Sequence, residues 1–271
     1  MEQGLLHGSG TDRPHEIPRA CQKTFIHGDI QGQSACAFFR FAQRRQYAIL
    51  LRRYRHRATE RRRANVPVKY IFWDSDNTLV DTATHHWRKH FETLKSHGIH
   101  LDDKWQERIY TNNGSQNWDW ISSELGLNLP REQYLDEIDA WYYRHIEDIT
   151  IRPGILEALD MFKDLPMAVV SNGRRRSVMA ALEGKNLTPH FKFILCIEDY
   201  EGRKPQPAPY LAAKTKMQQI TGLSIDPKDC LVIEDDPKGV EAGTAAGMNV
   251  IHRAVGDDNV AQFLSNLKHY R

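Results

Sequence analysis

Short apolar runs alternate with amphipathic stretches from about residue 66 to the end of the chain. The runs predict buried strands, and they lie at Val68–Trp73, Met167–Val170, Phe193–Ile197, Leu231–Ile233 and Asn249–Ile251. Apolar residues at helical spacing come between them, at Ile155–Phe162, Arg175–Leu182, Pro209–Ile220 and Lys238–Ala246, with Gly184 and Gly247 as predicted helix ends. Strands that alternate with helices predict an α/β fold with a doubly wound, Rossmann-like parallel sheet.

Residues 82–150 interrupt this alternation, because they contain no convincing strand. Apolar and aromatic side chains recur there at helical spacing, in three stripes: Trp87, Phe91 and Leu94; Trp118, Ile121 and Leu125; Tyr134, Ile138, Trp141, His145 and Ile149. Five of the six tryptophans lie in this segment, and we expect most of them to pack inward. The pattern predicts a helical bundle over 82–150, inserted into an α/β core made of residues 66–81 and 151–271.

Composition places the chain among ordinary globular proteins. Of the 271 residues, 40% are hydrophobic and 27% are charged. No apolar run approaches the roughly 20 residues that span a bilayer, so we expect no membrane partner. The four cysteines are scattered without metal-ligand spacing, which favours a reducing, cytoplasmic location. The sequence does not indicate an oligomeric state.

Charge divides the chain at about Asn65. Residues 1–65 hold twelve arginines, one lysine and five acids, a net charge of +8, which leaves −6 for residues 66–271. The basic segment could form an amphipathic helix over Phe38–Tyr54 and bind nucleic acid or an anionic membrane. We favour the simpler hypothesis of a disordered extension, or a stretch included by a misplaced start, and do not expect nucleic-acid binding.

Four groups of polar residues lie at the ends of predicted strands or in the loops that follow them. The first is Asp74–Leu79, in which Asp74 and Asp76 point the same way from an extended segment. The second is Ser171–Gly173, where a hydroxyl, an amide and exposed N–H groups could seat a phosphate. Ligands bind at the carboxyl ends of parallel strands, so these groups are expected at one edge of the sheet.

The other two groups are Lys204–Pro207, in which the prolines that follow the lysine hold its cation in position, and Glu234–Asp236, whose three acids repel one another unless a cation lies among them. Taken singly, each group has an ordinary explanation. These are an aspartate-rich turn, a helix N-cap, a solvated lysine and an acidic turn capped by Asp236. His86 and His90 have the i, i+4 spacing of zinc ligands, but no third ligand is evident, and we expect a solvated helix face.

In order and spacing, the four groups resemble the motifs of the haloacid dehalogenase-like hydrolase superfamily, in particular its phosphoglycolate phosphatase and β-phosphoglucomutase-like branch. The family's motifs are Asp-x-Asp-x-Thr-Leu after a strand, a Ser or Thr after the next strand, Lys-Pro-x-Pro, and Glu-Asp followed by Gly and Ala-Gly. They match Asp74–Leu79, Ser171, Lys204–Pro207, Glu234, Asp235, Gly239, Ala246 and Gly247. The resemblance covers roughly residues 66–252. Asn77 replaces the usual glycine and tolerates a left-handed backbone.

The resemblance implies a magnesium-dependent phosphatase that hydrolyses a small phosphorylated metabolite through an aspartyl-phosphate. Asp74 would be the nucleophile and Asp76 the general acid and base. The phosphoryl group would be held by Ser171, Asn172 and Lys204, and Mg²⁺ by Asp74, Asp76 (through its backbone carbonyl), Glu234 and Asp235. The inserted bundle would be a cap that closes over the site, with Asn113 and Ser115 as candidate substrate contacts or an ordinary interhelical loop. Two alternatives remain: a sugar-phosphate mutase, and a binding protein that uses its basic tail.

Overall fold

The central sheet of the protein is parallel, as the alternating pattern predicts. The computed structural model describes residues 66–271, so the hypotheses about the extension and about a helix over Phe38–Tyr54 lie outside the described residues. The strands are β1 (Tyr70–Trp73), β2 (Val80–Asp81), β3 (Thr150–Ile151), β4 (Met167–Val170), β5 (Ile194–Leu195), β6 (Cys230–Glu234) and β7 (Asn249–His252). In this part of the chain, β5-β4-β1-β6-β7 form one parallel sheet with β1 at its centre.

Helices cover both faces of this sheet. The helices of the described chain are α1 (Ala83–Ser96), α2 (Gln106–Thr111), α3 (Gly114–Leu125), α4 (Arg131–Arg144), α5 (Ile155–Met161), α6 (Arg175–Glu183), α7 (Ala208–Thr221), α8 (Pro237–Ala245) and α9 (Val260–Lys268). Ile71 and Trp73 of β1 face a core that includes α5, α6 and α9. Tyr70 and Phe72 face the opposite core, built with α7 and α8. The doubly wound α/β architecture is therefore confirmed.

Helices α1 to α4 lie between β2 and β3 and have a hydrophobic core of their own. That core includes Trp87, Trp120, Ile121, Tyr134 and Leu135. The segment enters and leaves through an antiparallel ribbon, in which Val80 pairs with Ile151 and Asp81 with Thr150. The prediction that 82–150 contains no strand was wrong at this last residue, because Thr150 belongs to β3. In residues 66–271 no helix combines the length and apolarity needed to cross a bilayer.

Some predicted element ends differ from the observed ones, each for a local reason. The strand predicted over Phe193–Ile197 is only β5, because the Asp199 carboxylate accepts a hydrogen bond from the backbone N–H of Cys196 and turns the chain into a 3-10 helix. The end predicted for α6 is confirmed, because Gly184 is its C-cap; the backbone of Gly184 is right-handed, at φ −59°, and the left-handed residue comes later, at Asn186.

His86 and His90 of α1 do not share a solvated face, which corrects the sequence-based expectation. His90 is 3% exposed, and its Nδ1 lies 2.5 Å from the Tyr134 hydroxyl inside the helical core. Burial lowers the pKa of His90 well below its ordinary value, with smaller effects of Lys89 and His86 in the same direction. His86 is half-buried and faces the α/β core, where it meets Asp76.

Candidate active site

The carboxyl ends of β1, β4 and β6 bring the predicted site residues to one edge of the sheet. Asp74 directly follows β1, Ser171 follows β4, and Asp235 follows β6. Because β1 pairs with both β4 and β6, these three positions are neighbours across the sheet. The backbone N–H of Asp74 donates to Ile233 O at 3.0 Å, which fixes the first loop against the end of β6.

Lys204 contacts the carboxyl ends of all three strands through its ammonium group. Its Nζ donates to Asp74 Oδ1 at 2.6 Å, to Glu234 Oε1 at 2.5 Å and to the carbonyl of Val170 at 2.8 Å. The side chain is buried, so these acceptors take the place of water around the charge. Burial alone would lower the pKa of Lys204, but the charges of Asp74 and Glu234 raise it well above its ordinary value. The ammonium is therefore fully charged.

The carboxylate of Glu234 occupies a site shaped by two other residues. The Tyr210 hydroxyl donates to the same Oε1 that accepts from Lys204. A Cβ atom at Gly239 would lie 2.0–2.2 Å from the Glu234 carboxyl group, so this place in α8 requires glycine as long as Glu234 keeps its position. Gly239 of the fourth motif is therefore explained by packing, because it leaves space for the buried carboxylate of Glu234.

Three acids crowd together at this edge. Among the described residues, Asp74, Glu234 and Asp235 offer carboxylate oxygens that all lie within 4.8 Å of one another. Burial, followed by repulsion from Glu234, raises the pKa of Asp74 well above its ordinary value, against the opposing charge of Lys204. Burial and then Asp74 likewise raise the pKa of Asp235. Three carboxylates face one bridging ammonium, so the cluster has an excess of negative charge that a divalent cation would balance.

Asp76 points its carboxylate towards the inserted helices. The carboxylate accepts from Thr82 Oγ1 at 2.8 Å and lies 3.2 Å from His86 Nε2. Burial would raise the pKa of Asp76, but the hydrogen bonds from His86 and Thr82, together with the charge of His86, lower it. Among residues 66–271, the side chain of Asp76 lies outside the acid cluster, so only its backbone carbonyl remains a candidate ligand there.

The turn after Asp76 has the backbone that the sequence predicted. Asn77 is left-handed at φ 56°, and its side-chain oxygen accepts from the backbone N–H of Thr82 at 3.2 Å. Arg152, which is 5% exposed, donates to the carbonyl of Asn77 and also to carbonyls in the loop that follows β7. The arginine therefore ties the first motif to the end of the inserted segment and to the C-terminal part of the chain.

The second motif lies beside the first. A Cβ atom at Gly173 would be 3.1 Å from Ser171 Oγ and 3.3 Å from Asp76 Oδ2, so the two loops meet at this glycine. Asn172 is exposed, and its Oδ1 accepts from the backbone N–H of Lys204 at 3.2 Å. Ser171 and Asn172 are thus brought to the same edge as Asp74, with Asn172 bound to the loop that carries the lysine.

Two polar residues of the insertion have local roles. Asn113 is exposed, and its side chain accepts from the backbone N–H of Gln116 at 2.9 Å as the N-cap of α3. Ser115 is half-buried in the first turn of the same helix. Within the described residues, no hydrogen bond or ion pair links either of them to the acid cluster. Asp236 likewise caps α8, by accepting from the N–H of Lys238 at 2.7 Å, as its ordinary explanation predicted.

Sequence reasoning missed several residues that hold the site together, namely Thr82, His86, Arg152 and Tyr210. Arg152 was noticeable as part of an Arg-Pro-Gly-Ile segment, but nothing in the sequence indicates that its guanidinium reaches Asn77. Tyr210 lies on the buried face of α7, where the sequence pattern predicts only that an aromatic side chain packs in the hydrophobic core. Its hydroxyl could be assigned to Glu234 only once the positions of α7 and β6 were known.

At the strand ends of the parallel sheet, a buried acid cluster, a bridging lysine and a hydroxyl form a site suited to a cation and an anionic group. The family model of the haloacid dehalogenase-like hydrolases matches residues 71–252. The chain therefore belongs to the haloacid dehalogenase-like hydrolase family. The enzyme class expected from the motifs, a phosphatase-type hydrolase, is confirmed.

Relatives and solved structures agree with this assignment. The chain is 28% identical over 199 residues to protein CbbY of Rhodobacter capsulatus, covering 68% of this chain and 84% of the relative. It is 26% identical over 194 residues to 6-phosphogluconate phosphatase of Escherichia coli, covering 68% and 82%. In fold it is similar to a crystal structure of CbbY from Rhodobacter sphaeroides in complex with phosphate, with a TM-score of 0.60 and 20% identity over 69% of this chain and 86% of that one.

Proposed function

We propose that the protein is a magnesium-dependent phosphatase that hydrolyses a small phosphorylated metabolite through an aspartyl-phosphate at Asp74. The observation that supports this most directly is the contact of Lys204 Nζ with Asp74 Oδ1 at 2.6 Å inside a buried acid cluster. A carboxylate can approach an anionic phosphate only where positive charge balances both groups. Lys204 supplies part of that positive charge, and the carboxylates of the cluster could bind a metal ion that supplies the remainder.

The donor atoms at this edge suit Mg²⁺, which prefers oxygen ligands. We assign the ion to the carboxylates of Asp74 and Asp235 and to the backbone carbonyl of Asp76. Glu234 would support the site through Lys204 and Tyr210, because its Oε1 is already bound by both. When bound, the ion would neutralise negative charge on the phosphoryl oxygens and on the nucleophile.

The chain's own residues divide the reaction into two steps. In the first, an Asp74 oxygen bonds to phosphorus while the ester bond breaks, and Asp76 gives a proton to the leaving oxygen. In the second, water attacks phosphorus, Asp76 takes a proton from that water, and the acyl-phosphate bond breaks to release inorganic phosphate. Hydrogen bonds from His86 and Thr82 favour ionised Asp76, the form that the second step needs. Ser171 and Lys204 would hold the phosphoryl oxygens in both steps.

The inserted helices would form a cap over this site, comprising residues 82–150. Contacts between the two parts already exist: Tyr143 OH lies 3.2 Å from Ser177 Oγ, and Arg174 Nη1 lies 3.5 Å from Asp139 Oδ2. A closed cap would exclude bulk water from the aspartyl-phosphate and add substrate contacts, with Asn113 and Ser115 as candidates. The similarity to the 6-phosphogluconate phosphatase of Escherichia coli supports a phosphorylated sugar or sugar acid as substrate.

The test is a pair of variants assayed with a generic phosphate ester. We expect Asp74→Asn to abolish hydrolysis, because an amide cannot attack phosphorus, and we expect EDTA to inhibit the wild type until Mg²⁺ is restored. Asp160→Asn is the matched control, because this exposed acid pairs with Lys163 at 3.2 Å and lies outside the acid cluster. Full activity in Asp74→Asn would remove the proposal.

A further inference from the structure

Lys89 is a cation of α1 that lies near the candidate site. Its Nζ is 5.7 Å from the centroid of the Tyr142 ring, and the ring of His86, one turn earlier, stacks on the same tyrosine at 5.8 Å. His86 in turn contacts the Asp76 carboxylate at 3.2 Å. Lys89 is close enough for its charge to contribute to the lowered pKa of Asp76. The ammonium therefore lies on the side of α1 that faces the α/β core.

The charge of Lys89 has no close counter-ion. In residues 66–271 its Nζ makes no hydrogen bond and no ion pair, although the side chain is half-buried. Burial lowers the pKa of Lys89, and the more distant charges of Asp139 and Asp76 oppose this only in part. Both acids are engaged elsewhere: Asp139 with Arg174 at 3.5 Å, and Asp76 with Thr82 and His86.

A partly desolvated ammonium that contacts an aromatic ring but no anion costs folding free energy, which binding of an anion would offset. Lys204 cannot serve a second anionic group, because its three short contacts keep it at the reaction centre. Lys89 approaches the site from the cap side, where the leaving group of a substrate would extend.

We propose that Lys89 binds a second anionic group on the substrate. The substrate would then be a phosphorylated metabolite whose leaving group carries a carboxylate or another phosphate. This inference rests on the proposed phosphatase function and narrows its substrate class.

Three substrates with one carbon skeleton test the inference. Glucitol 6-phosphate has an uncharged leaving group, 6-phosphogluconate adds a carboxylate, and glucitol 1,6-bisphosphate adds a phosphate. Lys89→Met removes the charge at similar length, Lys89→Arg keeps a charge, and Lys95→Met changes an exposed lysine of the same helix. Release of inorganic phosphate gives kcat/KM for each enzyme and substrate.

We expect the wild type to prefer at least one of the two anionic substrates to glucitol 6-phosphate. On the preferred one, Lys89→Met should lose about 10- to 100-fold in kcat/KM, the range for a hydrogen bond to a charged group. It should lose less than about twofold on glucitol 6-phosphate. Lys89→Arg should recover most of the loss, and Lys95→Met should behave as wild type.

An equal effect of Lys89→Met on all three substrates would overturn the inference. The inference would also be overturned if the wild type showed no preference for an anionic leaving group, or if it hydrolysed none of the three substrates. Failure of the proposed function looks different. In that case Asp74→Asn and the wild type would hydrolyse 4-nitrophenyl phosphate equally, whatever residue occupies position 89.

Discussion

Replacement of Lys204 by methionine tests whether charge balance holds the site together. The side chain keeps a similar length, but Asp74, Glu234 and the carbonyl of Val170 lose a shared donor that now lies 2.5–2.8 Å from each. Two of the three acceptors are carboxylates, and Asp235 stands beside them. The variant therefore leaves a buried group of acids without its bridging cation.

The size of the effect follows from burial. Removing one partner of a buried ion pair costs about 3–5 kcal/mol, so the free energy of unfolding at pH 7.5 should fall by about that amount. Without the ammonium, the pKa of Asp74 in the folded state should rise further above its unfolded value. The folded variant then gains protons as the pH falls, so its deficit relative to the wild type should shrink towards pH 5. Loss of one donor to the transferring phosphoryl group should lower kcat by about 10²–10³.

Urea unfolding in the presence of EDTA, at pH 7.5 and at pH 5, measures the stability difference, and hydrolysis of a generic ester measures kcat. Lys69→Met is the control, because Lys69 forms an exposed pair with Asp229 at 2.9 Å. That variant should unfold nearly as the wild type does and keep full activity. The reasoning is refuted if the two variants lose similar stability, or if the deficit of Lys204→Met is no smaller at pH 5.

Three further predictions concern residues that pack around the site or inside the inserted helices. Gly239→Ala should displace the Glu234 carboxyl group and destabilise by about 1–3 kcal/mol in urea unfolding, whereas a gain in stability would show that Glu234 moves freely. Arg152→Met should cost at least about 3 kcal/mol, because four carbonyls, those of Asn77, Arg253, Ala254 and Asp257, lose their donor, and a loss below 1 kcal/mol would contradict this. The pKa of His90 is lowered on folding, so only the unfolded state gains its proton below pH ~6.5. His90 should therefore lower the free energy of unfolding of the wild type by up to about 1.4 kcal/mol per pH unit towards pH 5. The variant His90→Gln should lack this contribution. Identical dependence of stability on pH in the two proteins would contradict the prediction.

The sheet could be predicted because its central strands, β1, β4 and β6, are short, largely apolar and buried on both faces. Such apolar runs predict strands independently of the neighbouring sequence, and the helices between the runs predict a parallel arrangement. The acid cluster could be predicted for the same reason, since Asp74 and Asp235 immediately follow runs that end at the same edge. Boundaries were less predictable where one side chain decides them, as Asp199 does at the end of β5.

The electrostatic partners of the site could not be predicted, because they depend on contacts between distant segments. His86 reaches Asp76 only once α1 is folded against the α/β core. Tyr210 reaches Glu234 across the contact between α7 and β6. Asn113 is different, since Asn followed three residues later by Gln is a recognisable capping box, and its local role was available from the sequence alone.

The most direct test of the account is to locate the covalent intermediate. The wild-type enzyme would be mixed with substrate and Mg²⁺, quenched in acid and treated with borohydride, which reduces a phosphorylated aspartate to homoserine. Mass spectrometry of the peptide that contains residue 74 then identifies the modified position. We predict homoserine at Asp74. Modification at any other residue, or turnover with no phosphoryl group on the protein, would contradict the claim that Asp74 captures phosphorus.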